Sequence, residues 1–321
     1  MIQVSKVISD IFHVSKTLFK VMIPTLIVVK LLQEAGLVTV LNNLMAPAMV
    51  ILGLPSEMAI VLTTTMLTNP YAGLIVASEV DALNSLTVAQ MSVLASFMLF
   101  THSLPVEALI SRQAGVRMRV VIALRVGCGF LFGFIISQLC AAAGWFEAAA
   151  VPNLPTFVAQ PGWQGWIVGQ IKGLLFIQLV IIVLLFFLEF LKVIGVERLI
   201  GMVLTPFLKL MKVGPRASTI AIVGVTLGLG FGGGLLIKDV ATGTIPKRDV
   251  FGVLCFINLL HSVFEDTAVV MLLGPSLVVI LIIRALFAVS VIMLVMSGVL
   301  RLPDTLWQKM LINSHIPKEA G

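Results

Sequence analysis

Apolar runs of about twenty residues recur along the whole chain, separated by short polar stretches, which is the signature of helices that cross a bilayer. The ten-residue alternation of a membrane strand is absent, so the pattern predicts an all-α polytopic membrane protein. The N-terminal stretch, with Lys6, Lys16 and Lys20 among apolar residues at helical spacing, reads as a short amphipathic lead-in that runs into an apolar helix from Thr17 to Gly36. An amphipathic stretch with Pro47 follows, from Leu37 to Leu54. The next apolar segment, Met58 to Ala77, is interrupted by Thr63-Thr64-Thr65 and Thr68-Asn69-Pro70-Tyr71-Ala72-Gly73. Asn-Pro and glycine are turn signals. About eleven residues on either side give arms near 16 Å, half of a hydrocarbon core of about 30 Å, so a re-entrant hairpin is predicted. Val88 to Ser111 is a span that Pro105 is expected to break, and Val120 to Gly144 is a second.

The same order then returns. A linker, residues 145–166, holds three tryptophans and three prolines and no Lys or Arg. Beyond it come a span (Ile167 to Leu191), an amphipathic stretch around Arg198, Lys209 and Lys212, a glycine-rich segment (Ala217 to Ile237), a polar-bearing span (Val250 to Leu273) and a last span (Pro275 to Leu300). The phrase His102-Ser103-Leu104-Pro105-Val106-Glu107 is answered by His261-Ser262-Val263-Phe264-Glu265-Asp266. An offset of 159 residues also aligns Gly36 with Gly195, Pro47 with Pro206, Gly115 with Gly274 and Arg125 with Arg284. The chain therefore reads as a tandem repeat: residues 1–144, the linker 145–166, residues 167–300, and a cationic tail 301–321.

Charge decides how the copies face. If each hairpin returns to the side it entered from and the N-terminus is cytoplasmic, each repeat crosses three times and the copies are inverted. Seventeen of the 21 basic residues then fall on the cytoplasmic side; the other four, Lys30, Arg125, Lys172 and Arg284, lie within spans. Crossing hairpins would put Arg112, Arg117 and Arg119 outside, against the positive-inside rule. The expectation is a multi-pass inner (plasma) membrane protein with both termini cytoplasmic. An inverted repeat with interrupted helices is the architecture of secondary transporters.

Composition excludes other classes. Residues are 59% hydrophobic and 11% charged, far from the quarter charged of a soluble protein. The net charge of +6 has no compact patch with interleaved aromatics, so nucleic acid is not an expected partner; the lipid bilayer is, and a homo-oligomer is compatible. The three cysteines sit in apolar segments without paired spacing and read as small buried hydrophobes. With neither HExxH spacing nor a soluble domain, no enzyme activity and no cofactor are expected.

Buried polar groups carry the candidate chemistry. Arg125 and Glu107 lie at similar depth, as do Arg284 and Asp266, and two ion pairs follow, structural in one reading and coupling or anion-binding in the other. Glu265, whose counterpart is Val106, is left without a basic partner and reads as the group that titrates, binds a sodium ion or touches the solute. His102, Ser103, His261 and Ser262, with Thr68 and Asn69, are candidate solute contacts; His102, His261 and Glu265 would suit a transition metal instead. Gly73, Gly230, Gly232, Gly233 and Gly234 are expected at hairpin tips, exposing backbone at mid-membrane, or else to allow close helix packing. GLGFGGG lacks the Lys-Ser/Thr ending of a phosphate loop.

TNPYAGLIVASEV, FTHSLPVEALISRQAG, GLGFGGGLLI and LLHSVFEDTAVVMLLG, each in order within its repeat, resemble the Gate or nucleoside-recognition superfamily. That group includes the spore maturation proteins A and B, the membrane region of ferrous-iron permeases and, more distantly, the concentrative nucleoside transporters. The resemblance covers nearly the whole chain and implies the element order span, interfacial helix, hairpin, broken helix, span, twice over with inversion. It also implies a transporter of a small polar, nucleoside-like solute working by alternating access with a proton or sodium ion as coupling ion. A divalent metal permease and a non-transporting membrane assembly protein are the alternatives it leaves open. Fold-level likeness does not choose among them.

Overall fold

The computed structural model of the chain describes residues 4–155, 162–211, 213–241 and 243–313. Lys212, Pro161 and Lys318, which enter the charge and linker expectations above, lie outside the described residues. Helix dominates. Among the described residues the only β-type pairings are isolated bridges, Thr87 with Ala149 and Val116 with Ile312. Among the described residues, six helical stretches are long and apolar enough to cross a bilayer: Val7–Glu34, Val88–Gln113, Met118–Ala143, Gly162–Val193, Lys247–Leu273 and Val278–Arg301. The chain is an all-α polytopic membrane protein.

In chain order the helices are α1 (Val4–Glu34), α2 (Leu37–Leu52), α3 (Ala59–Leu67), α4 (Pro70–Ser78), α5 (Val88–Thr101), α6 (Leu104–Gln113) and α7 (Met118–Ala143). They continue with α8 (Gly162–Val193), α9 (Val196–Leu210), α10 (Pro215–Leu227), α11 (Leu229–Ala241), α12 (Lys247–Leu259), α13 (Val263–Val270), α14 (Arg284–Arg301) and α15 (Asp304–Leu311). The first residues of α9, α11, α12 and α13 stand 159 positions after those of α2, α4, α5 and α6. Backbone specials recur at the same spacing: φ is 69° at Gly36 and 79° at Gly195, and 53° at Ser103 and 43° at Ser262.

Two compact units divide the chain. The first holds Met1–Ser103, Gly129–Ile194 and Glu265–Ile280. Within it α1 packs against α2, α4 and α8, and α3 packs against α5. Helices α1 and α8 are apolar on most faces, with Phe12 72% and Leu175 64% exposed, as lipid-facing surfaces require. The chain turns by 108° between α2 and the start of α3, so the amphipathic helix and the hairpin cannot form one straight span. Helices α3 and α4 have nine residues each. At 1.5 Å per residue each is about 14 Å long, too short to cross, and they fold back on each other as the sequence predicts. Asn69 makes the reversal: its backbone is extended (φ −161°, ψ 166°), its Oδ1 accepts from Ala72 N at 2.9 Å, and Pro70 follows at the first helical position. The described part of the linker is pinned by backbone bonds, Val88 N to Ala148 O (2.9 Å) and Asn153 N to Leu272 O (2.7 Å).

Glu79 ends α4, outside the crossing stretches, where Gln170 Nε2 of α8 donates to its Oε1. Burial raises its pKa more than the Gln170 bond and the charge of Lys30 lower it. A carboxyl whose folded value lies above its unfolded one favours the folded state when protonated. Its contribution is therefore fully present below the unfolded value and is lost as pH rises through the folded one. Glu79→Gln keeps an acceptor for Gln170 and removes the buried charge. Thermal unfolding followed by tryptophan fluorescence should show a gain of about 2 °C at pH 7.5 that disappears near pH 4.

The second unit holds Leu104–Cys128, Gly195–Phe264 and Leu281–Gly321. Helices α10 and α11 form its hairpin, α12 packs on α10, α11 and α14, and α6 packs on α11. The reversal falls at Gly228, whose φ of 95° is open to glycine and strained for any other residue. A Cβ there would also lie 2.6 Å from Ser262 Oγ. Amphipathic α15 closes one end: buried Trp307 donates from Nε1 to Asp304 Oδ1 (2.9 Å), and Arg248 reaches the same oxygen at 2.6 Å. A six-residue π-helical stretch, Val278–Ile283, leads into α14.

Candidate functional site

Both polar-bearing spans are broken, the first in the turn that precedes Pro105. Helix α5 ends at Thr101 and α6 starts at Leu104, with His102 and Ser103 between them. Pro105 lies in the first turn of α6, where its missing N–H would have no partner in any case. The second span breaks at Leu260, His261 and Ser262 without any proline. Side-chain and backbone bonds to the hairpin supply the cause in the first unit. Ser103 N donates to Thr65 O at 3.2 Å and Ser103 Oγ to Thr68 O at 2.5 Å, which holds Ser103 in the left-handed region. The Thr68 hydroxyl is itself bonded to Thr64 O at 2.6 Å. Thr68, Asn69 and Ser103 thus join the hairpin reversal to the helix break.

The glycines expected at the tips lie elsewhere. The reversals are at Thr68-Asn69 and Gly228; Gly73 is in the first turn of α4, and Gly230, Gly232, Gly233 and Gly234 are in α11. Gly73 and Gly232, separated by the repeat offset, both stand where one hairpin arm lies close against the other. A Cβ on Gly73 would collide with Thr65 Oγ1, and one on Gly232 would lie 2.6 Å from Gly224 Cα. Gly233 faces Ile110, while Gly234 has open space around it. Close packing, rather than exposed backbone, explains Gly232 and Gly233.

In the first unit, His102 is 3% exposed and its Nε2 lies 3.6 Å from Asp266 Oδ2. Glu265, one residue earlier, accepts from Tyr71 Oη at 3.2 Å. Tyr71 was not among the residues singled out from the sequence. It is the one tyrosine in the chain and directly follows Asn69-Pro70 in an apolar segment, a signal present in the sequence; the structure buries it.

In the second unit, the expected Glu107–Arg125 pair forms: Arg125 Nη1 donates to Glu107 Oε2, with Arg125 fully buried. The other carboxylate oxygen, Oε1, lies 3.1 Å from His261 Nε2, and His261 Nδ1 lies 2.8 Å from Ile257 O. A carbonyl only accepts, so Nδ1 carries a proton. Asn258 Nδ2 donates to Ser111 Oγ (2.9 Å) and Leu254 O (2.8 Å), and Ser111 Oγ donates to Glu107 O (2.8 Å), so α12 is tied to α6 beside the histidine. Asn258 also escaped the sequence reading, although an amide three residues before a histidine in an apolar run is its own warning. Ser262 packs against Gly228. The two histidine–carboxylate contacts, His102 with Asp266 and His261 with Glu107, are related by the repeat offset. Neither was foreseen. Arg284 is 1% exposed on α14 and belongs to the second unit, whereas Asp266 belongs to the first. His102 and Glu265 likewise belong to the first unit and His261 to the second.

The chain is 30% identical over 287 residues to the uncharacterized membrane protein YvoD of Bacillus subtilis (strain 168), an alignment covering 88% of this chain and 90% of that protein. No family model matches the chain, and no solved structure matches it.

Proposed function

We propose, for a chain that belongs to the same membrane-protein family as Bacillus subtilis YvoD, that it is a Gate-type secondary active transporter of a small polar, nucleoside-like solute. The observation that carries this reading is a pair of spans broken at equivalent serines, Ser103 and Ser262, each beside a buried histidine. Helix breaks at membrane depth are tolerated around a polar cavity or protein interior, and interrupted helices with short hairpins are the working parts of secondary transporters. The two repeats are inverted, both termini are cytoplasmic, and the hairpin and broken-helix elements of each unit move against its outer spans.

The candidate solute contacts are His102, Ser103 and Glu265 within the first unit and, taken separately, His261 and Ser262 within the second. Thr68 and Asn69 shape the hairpin reversal behind Ser103. Glu265 is the coupling carboxylate, and Tyr71 holds it through the 3.2 Å bond. A metal cargo is less well served in the second unit, because Glu107, the carboxylate beside His261, already accepts from Arg125. A cation there would face the guanidinium charge.

Uptake of labelled nucleosides into proteoliposomes under imposed proton and sodium gradients is the direct test. Glu265→Gln should abolish gradient-driven accumulation while leaving folding intact, and Tyr71→Phe should reduce it by about tenfold, the loss of one hydrogen bond to a charged group. If no gradient drives uptake, the solute reading fails. Thermal stabilisation by ferrous, zinc or manganous ions that His261→Ala removes would replace it with the permease reading.

A further inference from the structure

We infer that the second unit carries a seat for one anionic phospholipid, with its phosphate on Arg119 and an acyl chain in the apolar groove between α7, α12, α14 and α15. It concerns a part of the molecule that the transport reading does not use, and it stands or falls without that reading.

The sequence puts charge at one level here. Arg119 is the second residue of its crossing stretch, Lys247 is the first of another, and Arg301 is the last of a third. The three ends come together within the unit. Helix α12 packs on α14, Arg248 reaches Asp304 at 2.6 Å, and Arg117 N donates to Leu311 O at 3.0 Å. The ends of spans lie in the headgroup layer of a bilayer. Helix α15 lies at the same level. Trp307 is its buried anchor, while Leu306 and Met310, four residues apart on one face, are exposed. A short helix with one apolar and one polar face rests in the interface.

Beside this cationic rim is a groove of about 530 Å³, within the roughly 300–1,000 Å³ of small-molecule sites. Arg119 and Ala123 are its exposed lining residues, Phe251 and Cys255 are its buried floor, and Val295 and Leu311 stand between. Among the described residues that line it, Arg119 is the one charged group, and there is no hydroxyl, amide or carboxylate side chain. A wholly polar solute would leave its hydrogen bonds unmade inside. A wholly apolar one would leave the guanidinium unused. A negatively charged head on a hydrocarbon tail meets both ends of the groove.

Charge complementarity fixes the sign of the head. Among the described residues, the side chains of Arg119, Arg301 and Lys309 have neither an ion pair nor a hydrogen bond. Asp249 and Asp304, the acids of α12 and α15, are already engaged, the first by Gly214 N and the second by Arg248 and Trp307. A guanidinium offers a phosphate two parallel donors, which a zwitterionic lipid would meet only with its own ammonium in the same cationic field. One lipid seated here touches four helices at once and holds the terminal helix α15 against the rest of the unit.

Native mass spectrometry of the full chain tests the seat, after release from nanodiscs of phosphatidylcholine with a minor fraction of phosphatidylglycerol of matched acyl chains. One phosphatidylglycerol should be retained per chain, and no phosphatidylcholine. Arg119→Gln should lower that retention by about tenfold or more, the loss of a hydrogen bond between charged partners, and Arg301→Gln by less. Ala123→Trp should lower it without altering charge, because the ring fills the groove. Position is read separately from Trp307, whose ring lies 6.3 Å from that of Phe251 on the groove floor. With Trp145, Trp163 and Trp166 changed to phenylalanine, phosphatidylglycerol brominated on its acyl chains should quench Trp307 at a mole fraction where brominated phosphatidylcholine does not. Equal retention of the two lipids, or an Arg119→Gln loss matched by Arg301→Gln, overturns the seat in favour of diffuse attraction to the cationic end. Unchanged retention in Ala123→Trp removes the acyl chain from the groove and overturns it too. Displacement of the lipid by inorganic phosphate would mean a bare anion site, and dimers without retained lipid would mean that a second copy covers the groove. The quenching comparison leaves Arg119 and Ala123 untouched, so it decides the matter even if those variants do not fold.

Discussion

Replacing Arg125 with methionine is expected to destabilise the protein by about 3–5 kcal/mol, because it leaves the Glu107 carboxylate buried without its guanidinium. The side chains have similar reach, so packing along α7 is largely kept and the loss reports charge. In lipid nanodiscs the unfolding temperature should fall by roughly 10 °C. Adding Glu107→Gln should recover most of that loss, since exchanging a whole buried ion pair for neutral groups is close to neutral, whereas breaking one is not. A double-mutant cycle gives the coupling energy directly, and additive losses would mean that the two groups do not depend on each other. Lysine at 125 is a poorer substitute than its charge suggests, because an ammonium lacks the planar fork of donors that the guanidinium offers a carboxylate.

Gly232→Ala is the second large effect. A Cβ at position 232 would stand 2.6 Å from Gly224 Cα and 3.1 Å from Gly224 N, so it meets backbone and no rotamer can relieve it. Helices α10 and α11 would have to separate. The expected loss is about 2–3 kcal/mol, after the gain of up to about 1 kcal/mol from alanine's helix propensity. Gly234→Ala, two residues on with nothing within 4 Å, is the internal control and should be neutral or slightly stabilising. Thermal unfolding of the two variants side by side settles whether packing or propensity governs the glycine run; equal behaviour would refute the packing account. The first hairpin offers a rescue that the second does not. The obstacle to Gly73→Ala is the Thr65 side chain, and Thr65→Gly would remove it by installing the residue found at the equivalent position, Gly224.

Hydropathy alone was enough for the fold class and, with the Asn-Pro turn signal, for the short-armed first hairpin, because span length is dictated by bilayer thickness. The repeat offset was equally legible, and the helix starts and left-handed positions keep to it. Glu107–Arg125 could be anticipated from depth, since an arginine so far inside a span needs a partner and the nearest carboxylate is one helix away. Depth says nothing about which way a helix is turned. Tyr71 with Glu265 and His261 with Glu107 are 194 and 154 positions apart, and only the packing of helices within each unit brings them together. The helix breaks show the same limit. Pro105 is a local signal and lies just after the break, whereas Ser103 is held at φ 53° by carbonyls of the hairpin, thirty-five residues away in the case of Thr68. Chain-local chemistry thus determined which segments are long and apolar enough to cross a bilayer. Tertiary structure decided which buried groups face one another, because the direction a side chain points on a fully apolar helix is set by its neighbours.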